Sequence, residues 1–213
     1  MNNANPLLGI FGGTFDPIHY GHLRCALHVQ QYCQLEQVRL MPCHLPAHRA
    51  SPGVSATQRA DMVRLAIADY PQLALESLEL QQHRPSYSAI SLAQLAIKHP
   101  KHQLVFILGM DAFNHFTHWH RWQQILELAD LIVCQRPEHQ TLSAESQALL
   151  LQRQVQQATD LKLPGKGRIL LLDNPLQAIS ATELRQSLPA LTRCPDWLPP
   201  AVWNYIRQHK LYS

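Results

Sequence analysis

The chain has 213 residues, 46% of them hydrophobic and 15% charged, with 18 basic against 15 acidic side chains and a formal net charge of +3. A chain of this length forms one domain whose core needs no disulfide or metal staples, and its low charge excludes wholesale disorder. No run approaches the roughly 18 apolar residues of a membrane span, and no Lys/Arg block suits a nucleic-acid backbone. In chain order, the apolar run Leu7–Phe11 predicts a strand, followed by an amphipathic helix over Tyr20–Cys33. Strand Val38–Pro42 precedes a helix at Ser55–Ala68, and strand Leu73–Leu75 precedes one at Tyr87–His99. Strand Leu104–Leu108 leads to a helix at Arg121–Leu128, and strand Leu131–Cys134 to one at Ser143–Gln157. Strand Ile169–Leu172 is followed by helices at Ala181–Ser187 and Pro200–Gln208.

Short, nearly continuous apolar strands alternating with amphipathic helices predict an α/β fold. The expected architecture is a Rossmann-like, doubly wound parallel sheet with three α/β/α layers. No repeat or linker divides the chain, so residues 1–213 read as a single domain whose last helical portion spans about 176–213. Ligands of such sheets bind beyond the carboxyl ends of the strands, which directs attention to the residues after Phe11, Pro42, Leu108 and Leu172. The run Leu7–Phe11 leads directly into glycines, so no signal peptide is expected. Five cysteines without C-x-x-C spacing suit free thiols in a reducing compartment. A cytoplasmic location is therefore expected.

The segment after the first strand, Gly12-Gly13-Thr14-Phe15-Asp16-Pro17-Ile18-His19-Tyr20-Gly21-His22, carries the most chemistry. Gly12 and Gly13 let the backbone approach a phosphate and turn N–H groups toward it. Asp16-Pro17 has the form of a helix start, with an N-cap carboxylate and a proline in the first turn. His19 and His22 are three residues apart, so both rings project from one side of that turn and can donate to phosphate oxygens. A G-x-G-x-x-G dinucleotide fingerprint is absent, and Pro164-Gly165-Lys166-Gly167 lacks the spacing and following Ser/Thr of a P-loop. His115, His118 and His120 surround Trp119 without a matched carboxylate, so no metal site is assigned there.

These motifs carry a resemblance. G-G-T-F-D-P-x-H-x-G-H resembles the signature of the nucleotidylyltransferases, and most closely that of the bacterial nicotinate-nucleotide adenylyltransferase family. Ile179-Ser180-Ala181-Thr182-Glu183-Leu184-Arg185 is similar to that family's distal I-S-x-T-x-x-R. Pro46-Ala47-His48-Arg49, Pro85-Ser86-Tyr87-Ser88, Gly109-Met110-Asp111 and Thr117-His118-Trp119 follow in the family's order, so the resemblance runs from Leu7 to Tyr212.

The resemblance implies adenylyl transfer from ATP to nicotinate mononucleotide, giving nicotinate adenine dinucleotide and pyrophosphate. It implies His19, His22 and Arg185 as the catalytic group. Gly12, Gly13, Thr14, Phe15, Ser180 and Thr182 join them in binding ATP, with Arg185 on the β- and γ-phosphates. Asp16, His48, Arg49, Tyr87, Ser88, Asp111, Trp119 and His120 are implied for the mononucleotide. Trp119 would stack on the pyridinium, His120 would offer a backbone amide, and the helix start at Tyr87–Ser88 would face the carboxylate. Mg²⁺ is the expected cofactor, held mainly by ATP phosphates and water rather than by protein ligands. The expected partners are small-molecule substrates, with no nucleic acid and no membrane, on a monomer or homodimer.

Three positions depart from the family pattern. Arg49 stands for the commoner lysine, Ser88 for threonine, and Cys43-His44 where relatives often carry asparagine. Two further readings stay open at this level: another acceptor, such as nicotinamide mononucleotide or phosphopantetheine, and a catalytically silent nucleotide-binding regulator. Retained His19, His22 and Arg185 weigh against the regulator. A tRNA-ligase-like domain would need an anticodon-binding extension and a K-M-S-K-like segment, neither of which is present.

Overall fold

The computed structural model describes residues 5–45, 53–81, 85–135, 142–173 and 181–213. Strands β1 (Leu7–Gly13), β2 (Gln37–Pro42), β3 (Leu73–Leu75), β4 (Gln103–Gly109), β5 (Ala129–Gln135), β6 (Gln154–Val155) and β7 (Ile169–Asp173) make one sheet. Every pairing is parallel, in the order β3-β2-β1-β4-β5-β7-β6. The helices are α1 (Tyr20–Tyr32), α2 (Ala56–Ala66), α3 (Ser88–Lys98), α4 (Met110–Asn114), α5 (Trp122–Leu128), α6 (Ala144–Arg153), α7 (Ala181–Ser187) and α8 (Pro200–Gln208).

Strand composition follows from coverage on both faces. Along β4, Leu104, Phe106 and Leu108 enter one buried layer with residues of α3, α4, α5 and α6. Val105 and Ile107, between them, enter the other with residues of α1, α2 and α8. A strand buried on both sides has no polar face to show, which explains the unbroken apolar runs. The Rossmann-like expectation therefore holds, with helices on each side of a parallel sheet.

Several boundaries differ from those expected. β1 continues through Gly12 and Gly13, paired to Met41 and Pro42 of β2. The helix expected over Ser143–Gln157 stops at Arg153, because Gln154 and Val155 turn to pair with Ile169 and Leu170 along the outer edge of β7. Two residues are too few to show a period, so the composition masks this strand. The short α4 was also unexpected. Asp16-Pro17, joined by a cis bond, does not open α1. That helix starts at Tyr20, and His19 is its cap.

The order of the strands decides where a ligand can sit. From β1 the chain winds outward through β2 and β3, then returns to place β4 on the opposite side of β1. The connections after β1 and β4 thus leave in opposite directions, opening a crevice at the carboxyl ends of these two strands.

Candidate active site

At the end of β1 the turn is made by Phe15, whose φ of 50° lies in the left-handed region, rather than by a glycine. The glycines serve packing: a Cβ on Gly12 would lie 3.2 Å from the Phe106 ring, and one on Gly13 would lie 3.0 Å from the Phe15 ring. Phe15 is buried, edge-on to Phe11 and with its centroid 5.1 Å from that of His22. Its side chain supports the His22 ring from within the core.

His19 and His22 lie side by side across the first turn of α1, with ring centroids 3.9 Å apart and planes inclined at 36°. His19 is buried, and its Nδ1 accepts the Gly21 N–H at 3.1 Å. That bond requires an unprotonated Nδ1, so the neutral ring carries its proton on Nε2. The capping contact thereby leaves Nε2–H as the ring's remaining donor. Gly21 is what lets the ring fold back: a Cβ there would sit 2.8 Å from His19 Cε1 and 2.9 Å from Nδ1.

The distal motif meets this turn directly. Arg185, on α7, donates from Nη1 to the Asp16 carbonyl oxygen at 2.7 Å and from Nη2 to Thr182 Oγ1 at 3.2 Å. Its Nη1 is also 3.9 Å from Asp16 Oδ2. Asp16 itself is buried, with its carboxylate accepting the Tyr212 hydroxyl. Asp16 is expected to face the mononucleotide; in the structure its carboxylate takes the Tyr212 hydroxyl on one oxygen and has Arg185 3.9 Å from the other. Ser180, His48 and Arg49 lie outside the described residues.

A second cluster forms around the start of α3. Ser86 Oγ accepts the His44 N–H at 2.9 Å, and the Ser86 N–H reaches the Leu45 carbonyl at 3.0 Å, tying this segment to the loop after β2. Beneath it Glu79 takes hydrogen bonds from Ser91 Oγ (2.6 Å) and from Ser86. Burial pushes the Glu79 carboxyl above the usual range, and these two hydroxyls hold it partly back. Helix α3 begins at Ser88 with no side-chain cap from Tyr87, so its first-turn N–H groups are presented at a helix N-terminus. The Tyr87 ring packs on His120 with centroids 4.6 Å apart. Trp119 is half-buried against Phe106 and Phe116. Phe106 thus lies between Gly12 of the first cluster and Trp119 of the second. Asp111 is exposed in the first turn of α4, directly after β4. The rings of His115 and His118 are 6.4 Å apart while His120 turns to Tyr87, so the three imidazoles do not converge.

Sequence reasoning missed Arg59, a fully buried guanidinium on α2. It donates to the carbonyl oxygens of Thr14 (2.6 Å), Cys43 (2.6 Å) and His44 (3.2 Å). It therefore fastens the glycine-rich turn to the loop after β2, its contacts among the described residues running to carbonyls rather than carboxylates. The signal was present in the helix periodicity. Arg59 falls on the same face as Met62, Val63 and Ala66, where a charge has no place without a polar task. The Cys43 thiol beside it is pushed up by burial, an effect Arg59 opposes.

A parallel sheet with paired imidazoles, hydroxyls and a guanidinium at its switch point is the architecture of a nucleotide-binding protein. A family model described as cytidylyltransferase-like matches residues 10–187. A relative from Cellvibrio japonicus, named "Probable nicotinate-nucleotide adenylyltransferase", is 47% identical over 97% of this chain and 99% of its own length. One of the same name from Pseudoalteromonas atlantica is 40% identical over 100% and 98%. The solved structure of Plasmodium falciparum nicotinic acid mononucleotide adenylyltransferase complexed with NaAD shares the fold, with a TM-score of 0.72 at 18% identity over 97% of each chain. The chain belongs to the cytidylyltransferase-like family and, within it, to the nicotinate-nucleotide adenylyltransferases.

Proposed function

We propose that this chain transfers the adenylyl group of ATP to nicotinate mononucleotide, forming nicotinate adenine dinucleotide and releasing pyrophosphate. The observation that carries the reading is the His19–His22 pair, with ring centroids 3.9 Å apart beyond the end of β1 and the His19 tautomer set by Gly21. A phosphate oxygen of the mononucleotide attacks the α-phosphorus of ATP, and the bond from that phosphorus to the bridging oxygen of the β-phosphate breaks. The attacking group is already an anion, so no protein nucleophile is needed and catalysis reduces to positioning and charge neutralisation.

His19 donates from Nε2 toward the α-phosphate, with His22 beside it, while Gly12, Gly13 and Thr14 offer backbone contacts. Arg185, with Thr182 and Ser180, takes the β- and γ-phosphates, where a planar guanidinium binds two oxygens at once. Imidazole, guanidinium, hydroxyl and N–H donors complement phosphate rather than a hard cation, so Mg²⁺ would be held by the phosphates of ATP and would supply charge neutralisation there. The uncapped start of α3 at Ser88 receives the pyridine carboxylate, as the positive end of a helix dipole favours an anion. Trp119 stacks on the pyridinium, His120 contributes its backbone amide, and Asp111 accepts from a ribose hydroxyl. His48 and Arg49 complete the phosphate grip on the mononucleotide. One domain over residues 1–213 carries the whole site, working in the cytoplasm, where five free thiols are stable.

The test is pyrophosphate release from ATP and Mg²⁺ with nicotinate or nicotinamide mononucleotide as acceptor, beside a His19→Ala control. A strong preference for the acid, lost in the control, is the expected result. Equal rates with both acceptors would retain the chemistry and overturn the role given to the start of α3. No release with either would shift the search to other phosphate-bearing acceptors.

A further inference from the structure

The segment after α8 reaches back across the molecule to the catalytic turn. Leu211 N–H bonds the Ile206 carbonyl at 3.0 Å, and the chain then brings Tyr212 to Asp16, 196 positions away in sequence. Lys210 (φ 51°) is left-handed as the residue that closes α8, whereas Tyr212 (φ 60°), beyond that helix end, also takes this region, which L side chains other than Asn and Asp seldom adopt. At Tyr212 such a conformation persists when a specific contact holds it. The contact here is the Tyr212 hydroxyl on Asp16 Oδ1.

Asp16 stands between two elements that the reaction must align. Its carbonyl accepts Arg185 Nη1 at 2.7 Å, and its second carboxylate oxygen lies 3.9 Å from the same nitrogen. Burial and the adjacent Asp16 carboxylate push the Tyr212 phenol well above its ordinary range, so it remains a donor at any working pH. One oxygen of Asp16 is thereby occupied, and the guanidinium is held mainly through a neutral carbonyl. Without the hydroxyl, the buried carboxylate would turn to the Arg185 guanidinium and close the 3.9 Å gap into a direct ion pair. A guanidinium neutralised in that way is less available to a phosphate.

We infer that Tyr212 is a positioning residue for nucleotide binding: through Asp16 it keeps Arg185 poised for the polyphosphate of ATP instead of collapsed onto a carboxylate. The inference rests on the proposed role of Arg185 and adds the segment after α8 to the working parts of the site.

The experiment is a double-mutant cycle of Tyr212→Phe and Arg185→Gln in the full chain. It is read by calorimetric binding of MgATP without acceptor and by steady-state kinetics with both substrates. Tyr212→Phe should weaken ATP binding and raise KM for ATP roughly five- to tenfold, with kcat and KM for the mononucleotide within about twofold. In the Arg185→Gln background the same change should add nothing. Unchanged ATP affinity, an equal effect in both backgrounds, or a parallel rise in both KM values with a lowered Tm would each overturn the inference. The binding arm needs no acceptor, so a chain that binds ATP but fails to use nicotinate mononucleotide would sink the substrate assignment and leave the latch testable.

Discussion

Gly21 owes its place to a ring rather than to a turn. Its backbone is ordinary helix, yet a methyl group there would meet His19 at 2.8 Å, and His19 is buried with little room to move aside. Gly21→Ala should therefore push the imidazole off its cap and release the Nε2 donor from its set direction. We expect kcat to fall by about 10²-fold, the usual loss for one oriented transition-state donor, with Tm nearly unchanged. Steady-state kinetics beside thermal unfolding checks this, and an undiminished kcat would remove the capping contact from the mechanism. The spacing of His19, Gly21 and His22 was legible as a motif in the sequence. The reason for its glycine was not, because the clash is between atoms whose positions depend on the fold.

At the scale of elements, a helix side chain reinforces the joint between two loops that their own backbone makes from the Cys43 N–H to the Gly13 carbonyl. Arg59 of α2 binds three carbonyls across the turn after β1 and the loop after β2. Arg59→Met should leave those carbonyls unsatisfied in a dry setting, at a cost of about 3 kcal/mol, and Arg59→Lys should cost less because one ammonium retains part of the set. Denaturant unfolding of both variants measures the difference, and KM should rise in the same order as the loops separate. Near the end of β3, Glu76 is buried between Arg39 of β2 (2.9 Å) and Lys98 of α3 (3.0 Å). Burial alone would raise its carboxyl, but Lys98 and Arg39 outweigh that and hold it below the usual range. The sign follows: a depressed carboxyl stabilises the fold above its unfolded pKa, and that gain is lost as pH falls through the lower, folded value. Glu76→Gln should cost about 1–3 kcal/mol at neutral pH, with the gap to wild type closing below roughly pH 4. Tm measured against pH for both proteins tests it, and a gap independent of pH would count against the network. Strand and helix types were legible from periodicity, since burial on both faces leaves a plain apolar signature. The two-residue β6 and the five-residue α4 were not, being shorter than any period that could announce them.

Across the whole molecule, the crevice exists because the chain reverses its winding at β1 and β4, and the same reversal brings residues from both ends of the sequence together. Asp16, Arg185 and Tyr212 meet there, although nothing local relates them. The proposed preference for the acid over the amide belongs to this scale too, since it rests on where the fold places the start of α3. The sequence by itself determined the α/β class and the parallel sheet, because periodicity is a property of neighbours along the chain, while His19 and His22 entered by spacing and Thr182 and Arg185 by resemblance to the family's distal motif. Only the tertiary structure decided that His19 rather than Asp16 caps α1, that Asp16 turns inward, and that Arg59 and Tyr212 fasten the turn after β1. Those outcomes depend on which polar groups find partners once water is excluded, and the partners come from segments that meet only when the sheet is assembled.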